Sequence, residues 1–408
     1  DSGIVVGFEY DLSAHLDRAV ELINRTNQLN FTKMRLPEAP DEARAALRDV
    51  LSRHRIQAGL LRVRDKYGDH GFCGLYVLRS PRQGGRVLLH FAFSCRILGM
   101  GVETWLYNRL GRPQLKVSGE VVSEVVGDRR DIDWIAIEGA GFTSPSRAGK
   151  PAFAYVLARG GCDMRALSHY FGMVADRVIE EFDTVRDGQI VLANHSLIAV
   201  QAMQGMEVAA VQDFAKLGFL AGDFETVLAG ARPPGPAIWL LSFTIECGTP
   251  VFRHIETGAL MPVFPKGMGN GGDLAVLMRG AQLGTVDKAV AAHLRERFDF
   301  VGTVSDASLR DHLRIVFGSA GDGVQVFVLL ANVRAVKMAR VAEAMRTQNA
   351  AIIDVAGGFS NVHVLDPGDF MSQAEIAGLE SPHHFDRMVY YRMFRQIMEV
   401  GEGAIVAG

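Results

Sequence analysis

Twice in this chain an apolar run that reads as a strand meets a glycine turn and continues at once as a helix. No other feature limits the fold as much. The first case is Leu89-His90-Phe91-Ala92-Phe93, then Arg96-Ile97-Leu98-Gly99-Met100-Gly101, then a helix through Glu103-Thr104-Trp105-Leu106-Tyr107. The second is Phe153-Ala154-Tyr155-Val156-Leu157-Ala158, then Arg159-Gly160-Gly161-Cys162-Asp163, then a helical stretch from about Met164 to Glu181. Glycine lets a ligand approach the backbone of such a turn, and the free amides and dipole of the helix start suit phosphate. The same geometry presents one side chain at the carboxyl edge of a parallel sheet.

The segments around the first turn have a consistent order. Leu16, Val20, Leu22 and Ile23 recur at helical spacing from Leu12 to about Leu29, and a second helix is expected at about Pro40 to His54. Two strand-like runs, Gln57 to Arg64 and Gly71 to Leu78, flank the turn formers Asp65-Lys66-Tyr67-Gly68-Asp69-His70, which predicts a hairpin. Further strands are expected at Gln114 to Val117 and Trp134 to Ile137. The amides and hydroxyls of Asn24-Arg25-Thr26-Asn27-Gln28-Leu29-Asn30-Phe31-Thr32 are costly to bury unpaired. Either they cap and wrap the helix end, or Asn27 and Asn30 line a cleft that holds a polar substrate. Asp69 and His70, placed on a tight turn, are candidate substrate contacts, with His70 a base or simply a solvated histidine. Cys95 is either a small residue packed at a strand end or a thiol activated by the helix start and Arg96.

Gly139 to Lys150 is rich in glycine, serine and proline and reads as a linker, giving domains at 1–145 and 151–408. Beyond it, strands are expected at Gln189 to Ala193, Ala237 to Phe243, Val324 to Leu330 and Val362 to Leu365. The intervening stretches at about 202–230, 272–297 and 335–350 read as helices. Alternation of strand and helix predicts a doubly wound parallel sheet, so the fold class is α/β in two domains.

Composition excludes several classes. With 408 residues, 48% hydrophobic and 22% charged, the chain has material for two or three globular domains. A formal net charge of −3 provides no electrostatic footprint for nucleic acid or anionic membrane. No window approaches the roughly 18 unbroken apolar residues of a membrane span, and Asp1-Ser2-Gly3 is not the basic start of a secretory leader. Cys73, Cys95, Cys162 and Cys247 are far apart, which argues against disulfides or a zinc site and fits a reducing cytoplasm; no metal is expected.

Two resemblances sharpen these expectations. Arg96-x-x-Gly99-x-Gly101 is similar to the pyrophosphate loop of acyl-CoA-dependent N-acyltransferases of the GNAT superfamily. Together, Asn24–Thr32, Val63–Gly71 and Ser94–Glu103 resemble three consecutive signatures of FkbH-like proteins, over about the first third of the chain. In that family a GNAT-like domain follows a haloacid-dehalogenase-type domain, which loads a glyceryl unit onto an acyl carrier protein. No Asp-x-Asp motif precedes Leu12, so glyceryl loading is not carried over. What the resemblance implies is a GNAT-like domain in which Arg96, Gly99, Gly101 and the adjoining Cys95 seat a phosphopantetheine or pyrophosphate. The remainder resembles, in outline, the SGNH/GDSL hydrolases. Gly160-Gly161-Cys162 stands where Gly-Asp-Ser stands, and Ser381–Tyr390 stands where Asp-x-x-His precedes a helix. His384 takes the histidine's place with Ser381 in the acid's position; Glu380-x-x-His383 restores the spacing one residue out of register. A Gly-x-Asn-Asp block is not visible, and Asn194-His195-Ser196 is the expected source of an oxyanion donor, with Asn194 foremost.

These resemblances imply a cytoplasmic acyltransferase in natural-product or polysaccharide biosynthesis. Its donor would be a phosphopantetheine thioester, on acyl carrier protein or CoA, and its acceptor a small molecule. Cys162 would be the nucleophile and a neighbouring histidine the base. The alternatives are a thioesterase or esterase, with water as acceptor, and a non-catalytic docking scaffold for a carrier protein.

Overall fold

A computed structural model describes residues 3–81, 84–138, 153–161, 164–186, 189–192, 195–230, 232–243, 246, 249–262, 287–379 and 381–407. The chain forms two compact units. The first comprises Asp1–Ala152 together with His169–Asp176 and Phe385–Glu399, and the second Phe153–Ser168, Arg177–His384 and Val400–Gly408. A single cut between 145 and 151 would assign those two later segments of the first unit to the second.

The first unit contains β1 (Ile4–Glu9), α1 (Leu16–Arg25), α2 (Pro40–Ser52), β2 (Ile56–Asp65), β3 (Gly68–Arg79), β4 (Val87–Phe93), α3 (Val102–Arg109) and β5 (Ile135–Ile137). The strands form one sheet in the order β4-β3-β2-β1-β5, antiparallel except for the β1/β5 pair. Helix α2 starts on proline at its first turn, where the missing N–H costs nothing, and buries Ala43, Leu47 and Leu51 on one stripe. Leu47 and Leu51 of that stripe and Leu16, Ala19, Leu22 and Ile23 of α1 share a core with Ile56, Ala58 and Leu60 of β2 and Leu75 and Val77 of β3. The expected hairpin is present with a tighter turn, so Asp69 and His70 lie on β3 instead of on the turn. Strand β1, before Leu12, adds to the elements expected from the sequence. The expected strand Gln114–Val117 is only a single bridge, with Gln114 parallel to Val87; Val117 is exposed, so no burial rewards extending the pairing.

Most of the remaining elements belong to the second unit. They begin with β6 (Tyr155–Gly160), α4 (Met164–Phe171), β7 (Val178–Phe182), β8 (Thr184–Arg186), β9 (Gln189–Val191), α5 (Ser196–Gln204), α6 (Val208–Ala215) and β10 (Ala237–Ser242). There follow β11 (Pro250–His254), β12 (Leu260–Pro262), α7 (Lys288–Arg297), β13 (Phe298–Thr303), α8 (Asp306–Gly318), β14 (Val324–Leu329), α9 (Ala339–Ala356), β15 (Val362–Leu365), α10 (Gln373–Ala377) and α11 (Arg387–Ala407). The end of α4, from His169 onward, and α11 as far as Glu399 are counted with the first unit.

The main sheet of the second unit is wholly parallel, ordered β15-β14-β10-β6-β7. Counted from its first strand, this is the 2-1-3-4-5 order of doubly wound sheets, with the switch point between β6 and β10. Every residue of β6 and of β10 is buried, as strands covered on both faces require. Tyr155, Leu157, Trp239, Leu241, Val326 and Val328 pack with α5, α8 and α9 residues on one face. On the other, Gly160 lies against Met164, and Gly401 against Phe153 and Ile238.

Several expected elements differ. The helix expected to Glu181 ends at Phe171, and Val178–Phe182 becomes the edge strand β7; a short apolar run fits either period, and here the open edge of β6 decides. The strand at Gln189 pairs with β8 in a ribbon and does not join the main sheet. Of the stretch at about 202–230 expected to be helical, only the last residues of α5 and α6 are α-helix, separated at Gly205, whose φ is 85°; beyond Ala215 only a single 3-10 turn, Ala221–Phe224, is helical. A three-stranded antiparallel sheet, β12-β11-β13, is a further addition to the expected elements. It is tied to α6 and α7 through Asp213, which accepts from His254 Nε2 at 3.0 Å and Arg297 Nε at 2.6 Å. Burial raises the Asp213 carboxyl, but these donors outweigh it and hold the group well below the usual range. The linker at 139–150 and the part of the expected helix at 272–286 lie outside the described residues. Among the described residues no helix is long and apolar enough to cross a membrane.

The end of β6 makes a very close backbone approach. A Cβ on Gly160 would lie 2.3 Å from Met164 Cγ and 2.9 Å from Ser242 Cβ. Gly160→Ala is expected to destabilise the protein by about 1–3 kcal/mol, as overpacking does; a urea midpoint equal to wild type would show that Met164 moves aside freely.

Candidate active site

The polar groups of the second unit collect where its parallel strands end, the edge at which ligands of doubly wound sheets bind. Arg159, the last side chain of β6, is buried, with 2% of its surface exposed. Its guanidinium bonds to Glu181, its partner in register on β7. Glu181 also accepts from Thr226 Oγ1 at 2.7 Å and from the Val227 amide at 2.8 Å. A buried ion pair of this kind needs further hydrogen bonds, and Thr226 and the Val227 amide supply them to Glu181. Arg186 forms a second, bidentate pair with Asp223. Between the two pairs opens a cavity of about 640 Å³, lined by Arg159, Glu181, Thr184, Arg186, Asp223 and Thr226 among others. That volume suits a small organic molecule.

A second group of side chains lies beside the end of β10. Glu246, in the connection after that strand, is 1% exposed and takes the backbone amide of Ser196 on one oxygen and the Ser196 hydroxyl on the other. Ser196 is the first residue of α5, so the carboxylate closes that helix's N-terminus, where the dipole favours an anion. The Ser196 hydroxyl, spending its proton on Glu246, has a lone pair for His312 Nδ1 of α8 at 3.2 Å. His195, the N-cap of α5, accepts the Leu197 amide on Nδ1 at 3.1 Å. Burial pushes the Glu246 carboxyl up to about 7, against the bonds from Ser196 and the charge of Arg159. Burial, with the charges of His312 and Arg159, pushes His195 down to about 3, and burial also lowers His312. Arg159 thus acts on both groups and links them to the cavity wall.

In the first unit, Gly99 and Gly101 both take positive φ, 79° and 77°, between β4 and α3. Among the described residues, a Cβ on Gly99 would meet no atom within 4 Å, so one side of the loop is open; Gly101 is backed by Ile132 and Trp134. Arg96 is exposed and donates from Nη1 to the His70 carbonyl at 3.2 Å. Cys95 is exposed instead of packed, its thiol 3.5 Å from Gln28 Oε1. Glu103, at the second position of α3, is buried and accepts from Ser123 Oγ at 2.6 Å. The three stretches 24–32, 63–71 and 94–103 therefore meet: 24–32 runs beside β4 through the Asn30/Ala92 bridge, and 63–71 touches the loop through His70.

Within that cluster the polar side chains are mostly committed to the fold. Asn30 is buried, donates to the Ile23 carbonyl at 2.9 Å and accepts from the Lys33 amide at 2.9 Å, closing the end of α1. Asn27 is exposed, and its carbonyl accepts from the Asn30 amide. Asp69 pairs with Arg62 and accepts from the Gly71 amide at 2.8 Å. His70 Nε2 is 3.2 Å from Asp65 Oδ2 within the hairpin. Of the residues expected to act in the second unit, Cys162, Asn194 and Glu380 lie outside the described residues. His383 and His384 are half-buried; the His383 amide donates to Ser381 Oγ at 3.3 Å, and burial lowers its imidazole. The residues that sequence reasoning did not single out are Glu246, Arg159 and His312. Their signals were present: charged residues at or after the ends of apolar strands, and a histidine three positions after the buried Leu309. No known family model matches this chain, and no curated protein matches it.

The raised Glu246 carboxyl gives a pH dependence with a definite sign. Its folded pKa of about 7 exceeds its ordinary 4.5, so protonation favours the fold. That stabilisation is complete below the unfolded value and is lost as pH rises through the folded one. Between about pH 5 and about pH 8 the urea midpoint of wild type should therefore fall relative to that of Glu246→Gln, which keeps an acceptor oxygen and cannot ionise. Equal slopes would show that Glu246 is already ionised in the folded protein at about pH 5.

Proposed function

We propose that the protein is an acyltransferase that takes an acyl group from a phosphopantetheine thioester, of CoA or an acyl carrier protein, and passes it to a small acceptor. The observation that carries this reading is the sheet order of the second unit. The Gly160-Gly161 turn, which Cys162 follows by sequence, leaves β6 at the switch point between β6 and β10, and Arg159, the residue before Gly160, lines a cavity fit for a small molecule. On this reading the unit is SGNH-like, with His383 or His384 as base. The histidine takes the Cys162 proton and the thiolate attacks the thioester carbonyl. The pantetheine thiolate leaves with that proton. The acceptor's nitrogen or oxygen then attacks the Cys162 thioester, gives its proton to the histidine, and the histidine returns it to Cys162. The open Gly99 face, the positive φ of both loop glycines and the exposed Arg96 support a GNAT-like role for the first unit in seating the donor's phosphate. The natural-product or polysaccharide setting rests on the FkbH resemblance.

Intact-protein mass spectrometry with a panel of acyl-CoAs and acyl-pantetheines tests the reading. A mass gain is expected in wild type and in Cys95→Ala and is expected to be lost in Cys162→Ala; a gain lost only in Cys95→Ala would move the chemistry to the first unit, and no gain in any protein would reject the thioacyl route. Replacing a charged phosphate donor by alanine typically costs about tenfold or more in affinity, so Arg96→Ala should weaken binding of the CoA donors by about that factor. Calorimetry showing unchanged affinity would remove Arg96 from the donor site.

A further inference from the structure

His195 is built in a way that capping a helix does not require. Its side chain is buried, with 2% of the residue exposed, at the N-cap of α5, a position that serine, threonine, asparagine or aspartate fills with less buried bulk. Nδ1 receives the Leu197 N–H at 3.1 Å, so in the neutral ring the proton sits on Nε2. With Nδ1 turned onto the helix's own amide, Nε2 points away from α5. That Nε2 is buried and has no hydrogen-bond partner among the described residues. Buried donors are nearly always paired, and an exception calls for a reason.

The surroundings hold the ring in that state. Glu246 Oε2 is 3.5 Å from Nδ1, beyond direct bonding, because that oxygen is engaged by the Ser196 hydroxyl. Among the described residues the titratable and charged groups that face the ring are Glu246, His312 and Arg159, and burial with the last two keeps it neutral. Arg159 is the last residue but one of β6, immediately before Gly160-Gly161, and Glu246 follows β10, so the imidazole stands at the switch point of the sheet.

We infer that His195 is a catalytic hydrogen-bond donor, its Nε2–H held ready for the carbonyl oxygen of a bound acyl group as that oxygen gains charge. A neutral imidazole fixed at a helix N-terminus serves as such an electrophile because it stabilises an oxyanion without surrendering a proton. The inference rests on the acyl-transfer reading. It also assigns a role to Glu246 and Ser196, which are positioning residues that fix the start of α5 and hence the ring.

The test uses the full chain, with the acyl-pantetheine that gives the largest mass gain as the probe. Long-range 1H–15N spectra of histidine-labelled protein, assigned with His195→Gln, should show the neutral Nε2–H form of His195 unchanged from about pH 5 to about pH 8. The S-acetonyl pantetheine thioether, which keeps a carbonyl and cannot transfer it, should shift that Nε2–H. In single turnover, His195→Phe should slow acyl loading by about a hundredfold or more, the scale of losing one oxyanion donor, with little change in the half-saturating donor concentration. His195→Gln, which restores an N–H, should recover most of the rate. Loading at the wild-type rate in folded His195→Phe, titration of the ring within that range, or a proton on Nδ1 would overturn the inference while leaving acyl transfer intact. Absence of loading in wild type would instead reject the acyl-transfer reading, and this inference with it.

Discussion

A parallel sheet covered by helices on both faces has no dry place for a polar side chain except at the ends of its strands. In the second unit β6 and β10 are buried along their whole length, and every side chain from Ala237 to Leu241 is apolar. Polar groups can enter only where the strands stop pairing and the connections begin. That constraint explains why Arg159, Glu181, Ser242 and Glu246 all fall at or just beyond the carboxyl ends of three neighbouring strands. Arg159, Ser242 and Glu246 are buried there.

Charge placed there has to be neutralised locally. Arg159 and Glu181 form one pair, with Thr226 and the Val227 amide taking up the carboxylate's other lone pairs. Glu246 is treated differently, receiving two donors from a single residue at a helix start while burial still favours its protonated form. The two solutions have different consequences. The Arg159 pair is rigid structure that walls a cavity, whereas Glu246 changes charge near neutral pH and reaches His312 by way of the Ser196 hydroxyl.

The first unit is organised by a loop instead of by strand ends. Gly99 and Gly101 adopt a backbone conformation that other residues resist, and the carbonyl of His70 braces Arg96 from the hairpin. Asn30 and Asp69 spend their side chains on holding that frame together. The open side of the loop at Gly99, the exposed Arg96 guanidinium and the exposed Cys95 thiol are left outside that frame.

Residues near one another in the chain were legible in it. Alternating apolar runs and helices marked β6, β10, β14 and β15, and the glycine spacing marked the Arg96 loop, because strand burial and turn geometry act over a few residues. The burial cost of the Asn24–Thr32 amides was also legible, though only packing decided that the Asn30 side chain closes the end of α1. What the chain alone did not disclose were choices made by distant partners. Val178–Phe182 became a strand because β6 had an open edge, and Gln189–Val191 became a ribbon because β8 was the nearer partner. Glu246 and His312 stand 50 and 116 residues from Ser196 in sequence and share a proton network with it. By itself the sequence determined where most strands, turns and helices lie, since those obey local backbone preferences; the tertiary structure decided which charged groups meet, since hydrogen bonds in a buried edge depend on where the whole sheet brings its strand ends together.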